Sequence, residues 1–284
     1  MEEINKTCYV FQVDSNIVQQ VYTDQDNFLI EYDDNGDKSW CAIYFCSNDI
    51  YYPNTEEIFR KRIVENNFFE WYRSRINKAY KHIFVRDVFK QWYLMGISAE
   101  INTSQKLTEF LRKETEGYNI VTVGSSAGGY AAILHGSLLN AKYIIAFNPQ
   151  FELKSLLKES SETINPLVFR EQKLRSELYD LIPYINDKTD IFYFYSNASL
   201  WDIKQNHHIK NRNNIYKICF NTSHHGIPFL KVALPNVLNM EIGELKTLAA
   251  TVHSPLLFTI HSVGVYKTAC GFLKQVYQRY KKRR

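Results

Sequence analysis

Seventeen residues constrain the fold of this chain more than any others: Ile120-Val-Thr-Val-Gly-Ser-Ser-Ala-Gly-Gly-Tyr-Ala-Ala-Ile-Leu-His-Gly136. An apolar run with strand character enters Gly124-Ser125-Ser126-Ala127-Gly128, a G-x-S-x-G pentapeptide. A helical pattern rich in small residues follows. A serine at such a corner has a strained backbone and projects its hydroxyl above the carboxyl edge of a sheet. The glycines two before and two after it let strand and helix pass without a Cβ clash. Glycine is scarce in the chain, 11 residues in 284, yet four fall between Gly124 and Gly136, as a crowded turn requires. The alternative is a plain tight turn or a phosphate-binding loop at a helix N-terminus. The segment lacks the lysine of G-x-x-x-x-G-K-[ST] and the spacing of G-x-G-x-x-G.

The rest of the chain fits a strand-to-helix corner. Short runs with strand character occur at Cys8–Val13, Phe28–Tyr32, Cys41–Phe45, Ile83–Arg86, Ile120–Val123, Tyr143–Phe147, Ile191–Tyr195 and Ile215–Phe220. The later runs are continuously apolar, as in a parallel sheet covered on both faces. Helical stretches separate them, at about 55–81, 104–116 and 128–139, with a helical pair within 153–181. Asn54-Thr55-Glu56-Glu57 supplies an N-cap and a first-turn acidic pair. The expected architecture is α/β: a doubly wound, mostly parallel, eight-stranded sheet whose first two strands are antiparallel. The expected division is a main domain over 1–230, with a cap-like insertion at about 151–189, and a C-terminal helical extension over 231–284 that ends in a basic tail.

Composition narrows the function classes. Hydrophobic residues are 45% and aromatic residues 15%, enough for a large core. The net charge of +4 is too small to argue for nucleic acid. From Lys267 onward there are seven basic residues and no acidic one. The five cysteines are scattered without a C-x-x-C pair, so neither a zinc ribbon nor another metal site is expected. The opening Met-Glu-Glu-Ile-Asn-Lys lacks a basic start and an apolar core, and no run of 18 apolar residues exists. A reducing, cytoplasmic location is expected.

A serine nucleophile needs a base and an orienting acid. In this architecture the chain order is serine, acid, histidine. Ile215–Phe220 reads as the last strand, and Asn-Thr-Ser-His-His-Gly follows it directly. His225, beside Gly226, is the first candidate for the base, and His224 is the second. After Ile191–Tyr195 comes Ser-Asn-Ala-Ser-Leu-Trp-Asp202, the one carboxylate before the next strand. Asp202 would hold the histidine tautomer and stabilise imidazolium; its bland alternative is a helix N-cap. Ala127 N–H at the helix start is the first oxyanion donor. The second would come from the loop after Cys41–Phe45, from Cys46 or Ser47. Cys46 as a nucleophile is a weaker rival, without a supporting His/Asn context. Asp87, Gln150, Trp201 and His224 are candidate substrate contacts. A structural ion pair at Arg86-Asp87 and an ordinary turn at Asn148–Gln150 are the alternatives. His135, in the helix after the corner, reads as a packed or surface residue.

These residues resemble the α/β-hydrolase superfamily over about 8–230. More narrowly, Gly-Ser-Ser-Ala-Gly-Gly-Tyr-Ala-Ala-Ile-Leu-His-Gly and the later Ala-Phe-Asn-Pro-Gln are similar to α/β-hydrolase-like proteins of bacterial capsule and surface-glycan gene clusters. The resemblance implies a Ser-Asp-His acyl-ester enzyme, either an O-acetyltransferase or an acetyl esterase acting on a glycan. No resident cofactor is implied, and acetyl-CoA is a candidate acyl donor. The sequence lacks the His-Gly-Gly of many lipases, which argues against a lipid ester. The competing reading is a catalytically silent scaffold of the same fold in a glycan-assembly or secretion complex. Phe272, Leu273, Val276, Tyr277 and Tyr280 recur at helical spacing among basic residues. That pattern fits peripheral contact with the inner membrane face, or a packed terminal helix with a frayed basic end.

Overall fold

The computed structural model describes residues 8–159, 161–163, 165–166, 170, 175–209 and 212–282. Parts of the expected helical pair (160, 164, 167–169 and 171–174) and the tail residues Arg283 and Arg284 lie outside the described residues.

Among the described residues eight strands form one sheet: β1 (Phe28–Tyr32), β2 (Asp37–Phe45), β3 (Ala79–Val85), β4 (Asn119–Ser125), β5 (Tyr143–Phe147), β6 (Asp190–Ser196), β7 (Ile215–Phe220) and β8 (Val252–His253). Their spatial order is β1-β3-β2-β4-β5-β6-β7-β8. Among the described strands only β1 runs antiparallel, against β3, with Ile30 opposite Ile83. This is the α/β-hydrolase fold, with the serine-bearing corner after a central strand.

Side chains alternate between two apolar cores along each strand, because successive residues face opposite sides of the pleat. On β2, Ala42 and Tyr44 join one core, while Cys41, Ile43 and Phe45 join the other. Both cores are covered by helices, so the central strands are apolar throughout.

The eight-strand count hides an exchange of members. Cys8–Val13 is not a strand. Phe11–Asp14 and Asn16–Asp24 are helices. Val10, Val13, Ile17 and Val21 are all buried on one side. Val10 and Val13 are three apart and Ile17 and Val21 four apart, helical spacings on either side of the extended Ser15, and this outweighs the strand preference of valine. The eighth strand is instead Val252–His253, which pairs with β7 through Cys219 and Phe220. Ile215–Phe220 is therefore not the last strand.

The helix expected over 55–81 is also much shorter. It runs as Glu56–Phe59, capped by Thr55, and continues as one π-type stretch over Arg60–Glu65. Asn67 then adopts φ +40°, a left-handed conformation that ends the helix. The following loop turns Phe69 and Trp71 into the core. Trp71 Nε1–H donates to the Phe45 carbonyl at 2.8 Å, tying this loop to the end of β2.

After β7 come the helices Leu234–Leu238, Ile242–Leu248, Pro255–Val263 and Val265–Lys282. Among the described residues, no helix is long and apolar enough to cross a membrane.

Candidate active site

Ser126 sits between β4 and the helix Ala127–Leu138, with φ +52° and ψ −121°. The corner is this sharp because two glycines remove the obstacles. A Cβ on Gly124 would lie 2.0 Å from the Gly128 carbonyl oxygen, and one on Gly128 would lie 2.3 Å from that of Phe45. The Ser126 N–H donates to the Phe147 carbonyl at 2.9 Å, which pins the corner to β5.

Two later loops converge on the hydroxyl. His225 Nε2 lies 2.9 Å from Ser126 Oγ, and His225 Nδ1 lies 2.8 Å from Asp202 Oδ1. Asp202 is fully buried, in the first turn of the helix Leu200–His208 that follows β6. Ser199 caps that helix and accepts the Asp202 N–H, so the cap role belongs to Ser199 and frees the Asp202 carboxylate for the imidazole. The indole of Trp201 lies against the His225 ring, with centroids 5.5 Å apart and planes inclined by 7°. His225, rather than its neighbour, meets the serine oxygen. The His224 carbonyl accepts from Ser196 Oγ at 2.7 Å, and the residue lines the cavity beside the serine.

Asn148 and Gln150, at the end of β5, are both fully buried. Asn148 Nδ2 donates to the Gly226 carbonyl at 2.8 Å and lies 3.4 Å from that of His224, while its Oδ1 accepts the Ser196 N–H at 2.9 Å. One side chain thus fixes the backbone on both sides of His225. Gln150 Oε1 accepts Trp92 Nε1–H at 3.0 Å, which orients the amide and leaves Nε2 3.5 Å from Ser126 Oγ.

The backbone donors differ from one another. Ala127 N–H opens a helix, where the first amides have no intrahelical acceptor. Cys46 N–H donates to the Val85 carbonyl at 3.0 Å. Ser47 N–H donates to Glu70 Oε2 at 2.6 Å, and Ser47 Oγ donates to Glu70 Oε1 at 3.0 Å. The Cys46 thiol is buried, and burial pushes its pKa upward, away from the thiolate. That is the opposite of an activated nucleophile.

Asp87 does not reach the cavity. Its carboxylate accepts the backbone N–H groups of Phe89, Lys90, Gln91 and Tyr93 and thereby shapes the loop after β3. Burial raises its pKa to about 6. Arg86 does not pair with it; the guanidinium donates to Asn27 Oδ1 and Gln25 Oε1, both at 2.9 Å. His135 is packed rather than exposed. It is fully buried, 2.9 Å from Thr108 Oγ1, and desolvation lowers its pKa to about 3.

The serine opens into a cavity of about 770 Å³, lined among others by Glu70, Lys90, Trp92, Asn165, Trp201 and Lys231. Sequence reading missed Glu70 and Lys90. The Lys90 ammonium is buried, donates to the Tyr51 carbonyl at 2.9 Å and to Asn54 Oδ1 at 2.6 Å, and has its pKa lowered to about 8 by desolvation. Burial raises the pKa of Glu70.

Chemically, the site offers a strained, accessible hydroxyl, a base at hydrogen-bond distance and a carboxylate to orient that base. These are the parts nucleophilic acyl transfer requires.

No protein-family model matches the sequence, and no curated protein is significantly similar to it. Solved structures do resemble the fold. A protein of unknown function from Staphylococcus aureus subsp. aureus Mu50 is similar at 12% identity and a TM-score of 0.50, over 78% of this chain and 94% of that one. The capsule O-acetyltransferase of Neisseria meningitidis serogroup A has 14% identity and a TM-score of 0.46, over 81% and 82% of the two chains. An esterase from Pyrobaculum calidifontis has 11% identity and a TM-score of 0.43, over 79% and 81%. At such identities the likeness concerns architecture. The fold itself is read from this chain's own strand order, its antiparallel β1 and the serine-bearing corner after β4.

Proposed function

We propose that the protein is a serine-dependent acyl-ester enzyme that forms an acyl-enzyme on Ser126. The observation that carries this reading is the unbroken line Ser126 Oγ, His225 and Asp202, with links of 2.9 and 2.8 Å. Ser126 Oγ attacks the acyl carbonyl while His225 Nε2 takes its proton. Asp202 holds the tautomer with Nδ1 protonated and stabilises the imidazolium that forms. The oxyanion develops beside Ala127 N–H at the helix N-terminus, where the dipole favours negative charge. Collapse of the tetrahedral intermediate expels the alcohol or thiol, which takes the proton back from His225. Water or a sugar hydroxyl, deprotonated by the same imidazole, then releases the acyl group.

Of the loop donors expected from sequence, Cys46 and Ser47 have their N–H groups engaged elsewhere. Gln150 Nε2 is the better second donor, because Trp92 already aims it at the serine. The preferred acceptor is a glycan. Indoles from Trp92 and Trp201 and polar groups from Asn48, Asn54 and Asn165 surround the cavity. Flat faces and amides suit a hydroxyl-rich ring better than an acyl chain. The reaction is O-acetyl transfer or acetyl-ester hydrolysis, with acetyl-CoA as candidate donor for the former.

A fluorophosphonate probe followed by peptide mapping tests the nucleophile. A single adduct on Ser126, absent from Ser126→Ala, is the expected result; no adduct removes the reading in favour of a silent scaffold, and equal labelling in Ser126→Ala removes Ser126 as the nucleophile. Incubation with acetyl-CoA, with and without a glycan acceptor, then separates the two reactions. An acetylated sugar identifies a transferase, and free acetate alone identifies an esterase.

A further inference from the structure

The helix Val265–Lys282 is packed the wrong way round for a helix of a free-standing globule. It meets the rest of the protein through small and polar residues. Thr268 is buried, Gln275 is half-buried, and Gly271 lies so close to Val232 that a Cβ would come within 2.8 Å of its methyl carbon. The apolar residues face outward instead. Phe272 is 51% exposed, Leu273 67% and Tyr277 67%. With Val265, Tyr266 and Val276, also exposed, they recur at spacings of seven and four along two adjacent stripes, 265–272–276 and 266–273–277. Leu256 and Leu257 on the preceding helix add two more exposed side chains. Surface helices ordinarily turn this face to the core. A contiguous apolar face left in solvent marks an interaction surface.

The charge around this face selects the occupant. After Glu244 the sequence contains no acidic residue, whereas eight Lys and Arg residues fall between Lys246 and Arg284. Lys267 and Lys274 are exposed on the helix itself, beside the apolar stripes. A second copy of the chain seated on this face would bring two such basic segments together, and like charges would oppose it. An anionic bilayer surface answers both properties at once. Apolar side chains enter the acyl boundary, while lysines and arginines meet the phosphate headgroups. Gln275, on the inner side of the same helix, lines the cavity that holds Ser126. A helix lying in the bilayer surface would therefore hold the mouth of the cavity near the headgroups.

We infer that the exposed face of the helix Val265–Lys282 docks on an anionic phospholipid surface. The inference is independent of the acyl chemistry, since a Ser126→Ala protein would dock equally well.

The test is sedimentation of the full chain with large vesicles of phosphatidylcholine alone or containing 30% phosphatidylglycerol, each with and without 0.5 M salt. The comparison protein carries Leu273→Glu and Tyr277→Glu, both on the exposed face and away from the cavity; circular dichroism and the fluorophosphonate reaction check that it folds. Binding at least tenfold tighter to the anionic vesicles, weakened by salt and lost in the double variant, is the expected result. Equal binding by the two proteins, or no preference for anionic vesicles, overturns the inference. So does a dimer seen by analytical ultracentrifugation that the double variant dissolves, because the face would then be an interface between copies.

Discussion

Asn148 donates its side-chain amide to the carbonyl oxygen of Gly226 across 2.8 Å, from a backbone held at φ +40°. The bond lies one residue beyond His225, and Ser196 Oγ anchors the residue before it. The imidazole is thus positioned by its flanking peptides as well as by Asp202. Asn148→Ala should let the loop drift while leaving the cavity open. Displacement of about 1 Å at a reacting group costs on the order of 100-fold in rate. A fall in kcat of about 10- to 100-fold, with KM changed by less than about threefold, is expected in steady-state ester hydrolysis.

Trp201 offers a second handle on the same ring. Its indole covers one face of the imidazole at a 7° inclination. Trp201→Phe keeps a flat partner and should retain activity within about threefold, whereas Trp201→Ala should lose about tenfold, in line with the energy of an aromatic pair. The contrast between the two variants is the measurement. Equal loss in both would assign the role to the indole itself rather than to a flat ring against the imidazole.

Gln150 should behave as a transition-state donor. Gln150→Glu keeps an acceptor for Trp92 Nε1–H but replaces the donor facing Ser126 with a carboxylate oxygen. Removing one oxyanion donor costs about 10²–10³ in kcat. The loss should appear equally in kcat and kcat/KM, with fluorophosphonate binding to Ser126 slowed in parallel.

Asp87 gives the fold a pH signature. Burial raises its pKa to about 6, while the unfolded chain keeps the ordinary 3.8. Between these values the native state binds the proton more tightly than the unfolded one. Stability from this group is therefore fully present below about pH 4 and declines as pH rises through about 6, by about 3 kcal/mol in all. Urea unfolding across pH 4–7 should show this slope in the parent and lack it in Asp87→Asn. The substitution should also destabilise the protein by about 1–3 kcal/mol, because one carbonyl oxygen replaces two acceptors for four backbone amides.

The central residues were legible because their signals are local. The corner at Ser126 is written in neighbouring glycines, and Asp202 and His225 stand in the first turns after two continuously apolar strands. The helical start is not legible because Val10 and Val13 favour strands one residue at a time, and their burial in one core with Ile17 and Val21 emerges only in the fold. Glu70 was hidden in a stretch assigned wholly to helix, and its meaning depends on Ser47, 23 residues away. Lys90, Asn148 and Gln150 act through contacts that span from 24 to 78 residues of chain. Val252–His253 is too short to carry a pattern and is a strand only because β7 offers it an edge.

At φ +52° and ψ −121°, the Cβ of Ser126 crowds its own peptide group. Such a conformation costs about 1–3 kcal/mol in a residue other than glycine. Stripping that carbon away would relax the corner. A Ser126→Gly chain should therefore outlast its parent on heating, although inert toward every ester. Endurance and reactivity compete for one atom here, and drift toward sturdiness would run by way of silence.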